Sequence, residues 1–110
     1  MKYFGLTVNL KDDPKLIATY IEYHRNVWPE VEASLHRVGI ERTRIFLLGR
    51  RTFMYMEVAD DFDASTYIQR YLEEPKAVEW ENLMAPFMEV LPEARPGELW
   101  AKMEPIYALS

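Results

Sequence analysis

His24 stands four residues after Tyr20 and four before Trp28 in the run Tyr20-Ile-Glu-Tyr-His24-Arg-Asn-Val-Trp28-Pro29-Glu30. An imidazole titrates near pH ~6.5, so it can both give and take a proton at neutral pH. At a helical spacing of four, the phenol and the imidazole are neighbours on one wall of a pocket. Such a pair supports general acid/base catalysis. The structural alternative is a core histidine satisfied by a backbone carbonyl, which periodicity alone favours. Trp28 and Trp80 offer flat apolar surfaces that can stack on the C–H face of a pyranose while polar neighbours bind its hydroxyls. As tryptophans on apolar helix stripes, they equally suit a core.

Other chemistries find little support. The 110 residues include no cysteine, which removes disulfides, thiolate catalysis and zinc ribbons. His24 and His36 show no metal-binding pairing, and His36 is expected to face solvent, so no metal is assigned. The glycines, at positions 5, 39, 49 and 97, form no phosphate-binding loop, so no nucleotide or organic cofactor is expected. Ser34, Ser65 and Ser110 lack a nucleophile-elbow context. A net charge of -5 and a pI near 5.0 argue against nucleic acid. The N-terminal run has no leader-like apolar core and no segment reaches membrane-spanning length, so a soluble cytoplasmic protein is expected. Arg42, Arg44, Arg50 and Arg51 make the one basic concentration, best read as solubilising charge near a turn. Glu57 interrupts an apolar strand and should pair with an arginine or face a polar pocket.

The elements that must position these side chains follow from periodicity. Phe4, Leu6, Val8 and Leu10 alternate with Tyr3, Gly5, Thr7 and Asn9, predicting a strand over Lys2 to Leu10. Asp12 or Asp13 before Pro14 opens a helix, on which Leu16, Ile17, Tyr20, Ile21 and His24 share an inward stripe. Pro29 breaks that helix and starts another, whose apolar stripe Val31, Leu35 and Val38 ends at Gly39. Ile40 to Leu48 and Thr52 to Val58 form a hairpin. A helix over roughly Ala64 to Leu72 and another from Pro75 follow, the latter carrying Trp80, Leu83, Met84, Phe87, Met88 and Leu91 on one stripe. Pro92 to Gly97 ends it, and Leu99 to Leu109 reads as a final strand, with an edge or bulge at Pro105.

The order predicts one domain over residues 1–110, an α+β ferredoxin-like βαββαβ plan with split helices and an antiparallel sheet. The hairpin strands are apolar on both faces, so something must cover the side away from the helices. A second copy, giving a homodimer, is the economical cover.

The Tyr20 to Glu30 run resembles the signature of the L-rhamnose mutarotase family, in which a tyrosine precedes a histidine by four and Trp-Pro-Glu follows. The Gly39-Ile40 junction, the Phe53 to Val58 strand, the Trp80-x-x-x-Met84 element and the Trp100-Ala-Lys-Met103-Glu104 run are similar too, so the likeness covers nearly the whole chain. The resemblance implies a dimeric α/β barrel that interconverts the anomers of a free monosaccharide. His24 would be the catalytic proton donor, with Tyr20 and Trp80 as sugar contacts. Two positions depart from the pattern: Thr43 stands where the L-rhamnose enzymes have a tyrosine, and Glu81 where they have a second consecutive tryptophan. Both substitutions would change hydroxyl contacts and methyl packing, which brings L-fucose or another deoxy-sugar into consideration beside L-rhamnose. Two rival readings rest on fold analogy alone, a cofactor-free monooxygenase or haem-degrading protein, and a non-catalytic sugar-binding sensor.

Overall fold

A computed structural model describes residues 2–109; Ser110 lies outside the described residues. Strand β1 (Lys2–Leu10) pairs along its length with β3 (Arg51–Val58), and β3 pairs with β2 (Ile40–Leu48), all antiparallel. The other side of β1 receives two short strands, β4 (Met88–Glu89) and β5 (Ala101–Lys102). The sheet order is β2-β3-β1-β4, with β5 also on β1, so β2 forms an open outer edge. Helices α1 (Pro14–Tyr23), α2 (Pro29–Arg37), α3 (Tyr67–Tyr71) and α4 (Pro75–Met84) complete the chain order. This is a ferredoxin-like α+β fold with split helices, as the periodicity predicts.

The alternation read in β1 is the one observed. Leu6, Val8 and Leu10 are buried and pack with Met56 and Val58 of β3 against Tyr20, Val31, Tyr71, Ala77, Trp80 and Met84 from the helices. Burying such side chains contributes roughly 1.5–3 kcal/mol each, which holds the helical layer on the sheet. Three helices begin with proline at their first turn, where its missing N–H costs no intrahelical bond. At α1 the Asp13 carboxylate accepts from the Lys15 backbone N–H at 2.9 Å. α1 ends at Tyr23, and the His24 backbone N–H bonds the carbonyls of Tyr20 and Ile21.

Three expected boundaries move, each for a local reason. The helix expected over Ala64 to Leu72 is confined to Tyr67–Tyr71, because the Asp63 carboxylate accepts from both the Ser65 N–H and the Ser65 hydroxyl and holds a turn there. The Trp80 to Leu91 stripe leaves the α-helix at Met84, since Pro86 cannot donate the next helical bond; a 3₁₀ turn (Ala85–Phe87) leads into β4. The strand expected over Leu99 to Leu109 is only Ala101–Lys102. One further bond, from the Met103 N–H to the Gly5 carbonyl, extends the pairing before Pro105.

Gly39 joins α2 to β2 with φ at +98°, and its N–H and carbonyl are both engaged, with His36 and Ala59. A Cβ there would meet Phe62 Cδ1 at 3.4 Å, so the backbone conformation dominates the penalty of adding one. Gly39→Ala is expected to cost about 1–2 kcal/mol, read from urea unfolding midpoints at unchanged m-value.

The face of the sheet away from the helices carries Tyr3 stacked on Tyr55 at 5.9 Å between ring centroids and Phe46 on Phe53 at 6.1 Å. Phe46 is 56% exposed, and Leu48 and Ile106 are more open still. Arg42 stands opposite Glu57 in the β2–β3 ladder. Arg50 and Arg51 turn to structural partners: Arg50 pairs with Glu89 at 2.6 Å, and Arg51 donates to the Asn9 side chain at 2.8 Å.

Candidate active site

α1 delivers Tyr20 and His24 one turn apart, with ring centroids 4.3 Å from each other. Tyr20 is 4% exposed and belongs to the core, whereas His24 is half-buried at the helix end. His24 Nδ1 lies 2.9 Å from the Tyr20 backbone carbonyl. A carbonyl oxygen only accepts, so Nδ1 must carry the hydrogen and Nε2 is the nitrogen left to exchange a proton.

Both side chains line a cleft of about 410 Å³, together with Ile21, Arg25, Ile45, Leu47 and Thr52. The volume falls within the ~300–1,000 Å³ usual for small-molecule sites. Its far wall comes from the hairpin: Ile45 is registered opposite Met54 and Leu47 opposite Thr52, which turns all four toward the helical side of the sheet. Thr43, opposite Met56, shares that side two residues along β2 from Ile45.

Trp80 sits behind His24, on the α1 side of the cleft. It is 5% exposed and packs edge-on against His24 at 5.5 Å, Trp28 at 5.3 Å and Tyr23 at 6.2 Å between ring centroids. The four side chains singled out in the sequence are thus brought into one aromatic cluster, but Tyr20 and His24 line the cleft while Trp28 and Trp80 support it. His36 is exposed, with its Nδ1 3.0 Å from the Ile40 carbonyl. Among the described residues no three His, Asp or Glu side chains converge as a metal set.

Glu81 is the group whose surroundings the sequence does not reveal. The Tyr71 hydroxyl donates to its Oε1 at 2.9 Å. Burial raises the Glu81 carboxyl above the ordinary value of 4.5, and the Tyr71 hydrogen bond holds the rise back. The Tyr20, Tyr67 and Tyr71 phenols are all pushed up, first by burial and then by the negative charge of Glu81, so they stay protonated at neutral pH. A phenol held protonated in this way can donate a hydrogen bond but is no base at neutral pH. An acidic residue directly after a buried tryptophan on a helix was the available signal, but Tyr67 and Tyr71 gave none.

A pocket with one proton-exchanging imidazole, a neutral phenol and an apolar far wall suits a small neutral polyol and the movement of its protons. The sequence profile of the L-rhamnose mutarotase family matches residues 3–109 of this chain. The chain belongs to that family. An L-fucose mutarotase from Xanthomonas campestris pv. campestris is 43% identical over 112 residues, covering all of this chain and 90% of the relative. An L-rhamnose mutarotase from Paraburkholderia phymatum is 30% identical over 77 residues, 70% of this chain and 69% of its own length. Among solved structures, the L-rhamnose mutarotase of Formosa agariphila superposes with a TM-score of 0.73 at 20% identity, covering both chains fully, which supports the fold. Mutarotase family membership places the chain with isomerase-type enzymes acting on sugars. No helix among the described residues is long and apolar enough to cross a membrane.

Proposed function

We propose that this mutarotase-family chain interconverts the α and β anomers of a free deoxy-sugar, with L-fucose preferred to L-rhamnose. The observation that carries the reading is the His24 ring, locked by its Nδ1–H to the Tyr20 carbonyl and lining a cleft of sugar-binding size. Protonated, it presents Nε2–H to the ring oxygen of a bound pyranose; neutral, it takes that proton back. Tyr20, held as a phenol, donates a hydrogen bond. Trp80 and Trp28 act by supporting His24. The preference for L-fucose is supported by the 43% identity of a full-length L-fucose mutarotase and by Thr43 and Glu81, where the L-rhamnose pattern has aromatic residues.

Exchange NMR on a panel of L-fucose, L-rhamnose and common aldohexoses tests this directly. Anomer exchange should be accelerated most on L-fucose. Exchange no faster than in buffer on every sugar would remove the catalytic reading and leave a binding protein.

The chain is further proposed to work as a homodimer in which a second copy covers the Tyr3, Phe46, Phe53 and Tyr55 face. Contiguous exposed aromatic surface of this kind marks an association site. Light scattering should give about twice the 13.1 kDa chain mass, and Phe46→Asp should return it to 13.1 kDa. A wild-type mass of one chain rejects the pairing.

A further inference from the structure

A sugar ring held only at the atoms that exchange protons would not keep C1 and O5 against His24, so the cleft needs a second grip. We infer that Arg25 supplies it, donating from one edge of its guanidinium to the adjacent hydroxyls on C3 and C4 of the bound pyranose. The inference rests on the mutarotase reading and deepens it by naming a specificity-determining residue.

Local geometry places Arg25 as it places His24. α1 ends at Tyr23, but the Arg25 N–H bonds the Glu22 carbonyl at 3.1 Å and the Asn26 N–H bonds the Tyr23 carbonyl at 3.3 Å, so the winding continues past the helix end. Ile21 and Arg25 thus form a four-residue pair beside that of Tyr20 and His24, and all four side chains line the cleft. Among the described lining residues Arg25 alone carries a permanent charge. Ile21, Ile45 and Leu47 are hydrocarbon, and the Thr52 hydroxyl donates its hydrogen to the Val8 carbonyl at 2.7 Å.

Arg25 Nη1 donates to the Glu22 carboxylate at 2.8 Å, and its Nε–H and Nη2–H have no protein acceptor among the described residues. Those two hydrogens leave one edge of the planar group side by side, a fork that takes two oxygens at once. Gauche hydroxyls on neighbouring ring carbons present two oxygens close enough together for it. Glu22 also sets the class of ligand: its carboxylate offsets the arginine charge, so the cleft offers directed donors with little net charge, which suits a neutral polyol over a uronate or a sugar phosphate. With C1 and O5 at His24, C3 and C4 lie across the ring. The C4 hydroxyl is axial in L-fucose and equatorial in L-rhamnose, so a fork held in place by Glu22 meets the two sugars differently.

Both partners of the Arg25–Glu22 pair are exposed, so the pair adds little to folding and a substitution there reads binding. Arg25→Met keeps much of the apolar stem and removes the fork. It should raise KM for L-fucose about 10- to 100-fold with kcat within about threefold of wild type. On 4-deoxy-L-fucose, which lacks one of the two acceptors, the wild-type enzyme should lose about 10-fold in kcat/KM, whereas Arg25→Met should treat the two sugars alike to within about twofold. Arg25→Lys, a point charge without the fork, should not restore the discrimination. A wild-type KM in Arg25→Met, or wild-type discrimination in Arg25→Lys, would overturn the proposal. Should the wild-type protein exchange the anomers of no sugar, the catalytic reading falls separately, and L-fucose affinity measured by NMR titration still decides the contact. An affinity weakened about 10-fold or more in Arg25→Met upholds it; equal affinities, or no binding by the wild type, overturn it.

Discussion

His24→Asn is expected to slow enzyme-catalysed anomer exchange by about 100 to 10,000-fold while the protein keeps its fold. The backbone at this position is secured independently of the ring, through bonds from the His24 N–H to Tyr20 and Ile21, and asparagine is well tolerated at helix ends. What the substitution removes is the imidazole whose Nε2 faces proton exchange. Exchange NMR gives the rate, and circular dichroism melting checks that the structure persists. A rate within a factor of two of wild type, in a folded variant, would take His24 out of the mechanism. The bond from Nδ1 to the Tyr20 carbonyl makes the loss larger than a simple change of side chain suggests, because it holds Nε2 in one direction before substrate arrives.

The second large effect is on stability. Trp80→Ala should cost about 3–5 kcal/mol, because an indole that is 5% exposed and touches three other aromatic rings would leave a cavity lined by Tyr23, His24 and Trp28. For a domain whose total stability is roughly 5–15 kcal/mol, that is a substantial fraction. Trp80→Phe should recover most of it, since an aromatic ring still fills the space. Urea titration provides the measurement. At a temperature where Trp80→Ala remains folded, its kcat should also fall, as His24 loses the surface it rests on. A cost under ~1 kcal/mol would show that the indole is not part of the core.

The Tyr20–His24 pair was legible in the sequence because four-residue spacing on a helix is local geometry, which no distant contact can alter. The β1 alternation and the prolines at helix starts were legible for the same reason. The far wall of the cleft was not. Ile45, Leu47 and Thr52 meet α1 only through the register of a hairpin more than 20 residues downstream of it, and an apolar run in a strand does not say which face it turns. Trp80 illustrates a related limit: periodicity put it on the apolar stripe of its own helix, but whether it would stack on a ligand or behind the histidine depended on packing depth. The end of α4 and the shortness of β5 were decided by Pro86 and Pro105, each visible in the chain but outweighed in the reading by a longer apolar pattern.

Ile45 and Leu47 serve the cleft from the outermost strand, whose far edge has no neighbouring strand among the described residues. A wall built on an unsupported margin is only as firm as whatever leans on that margin. With the pairing of copies proposed above, the specific activity per chain would depend on how far the enzyme is diluted. Assays run at nanomolar and at micromolar protein would then report on differently braced clefts, and kinetic constants for this enzyme carry meaning only alongside the concentration at which they were taken.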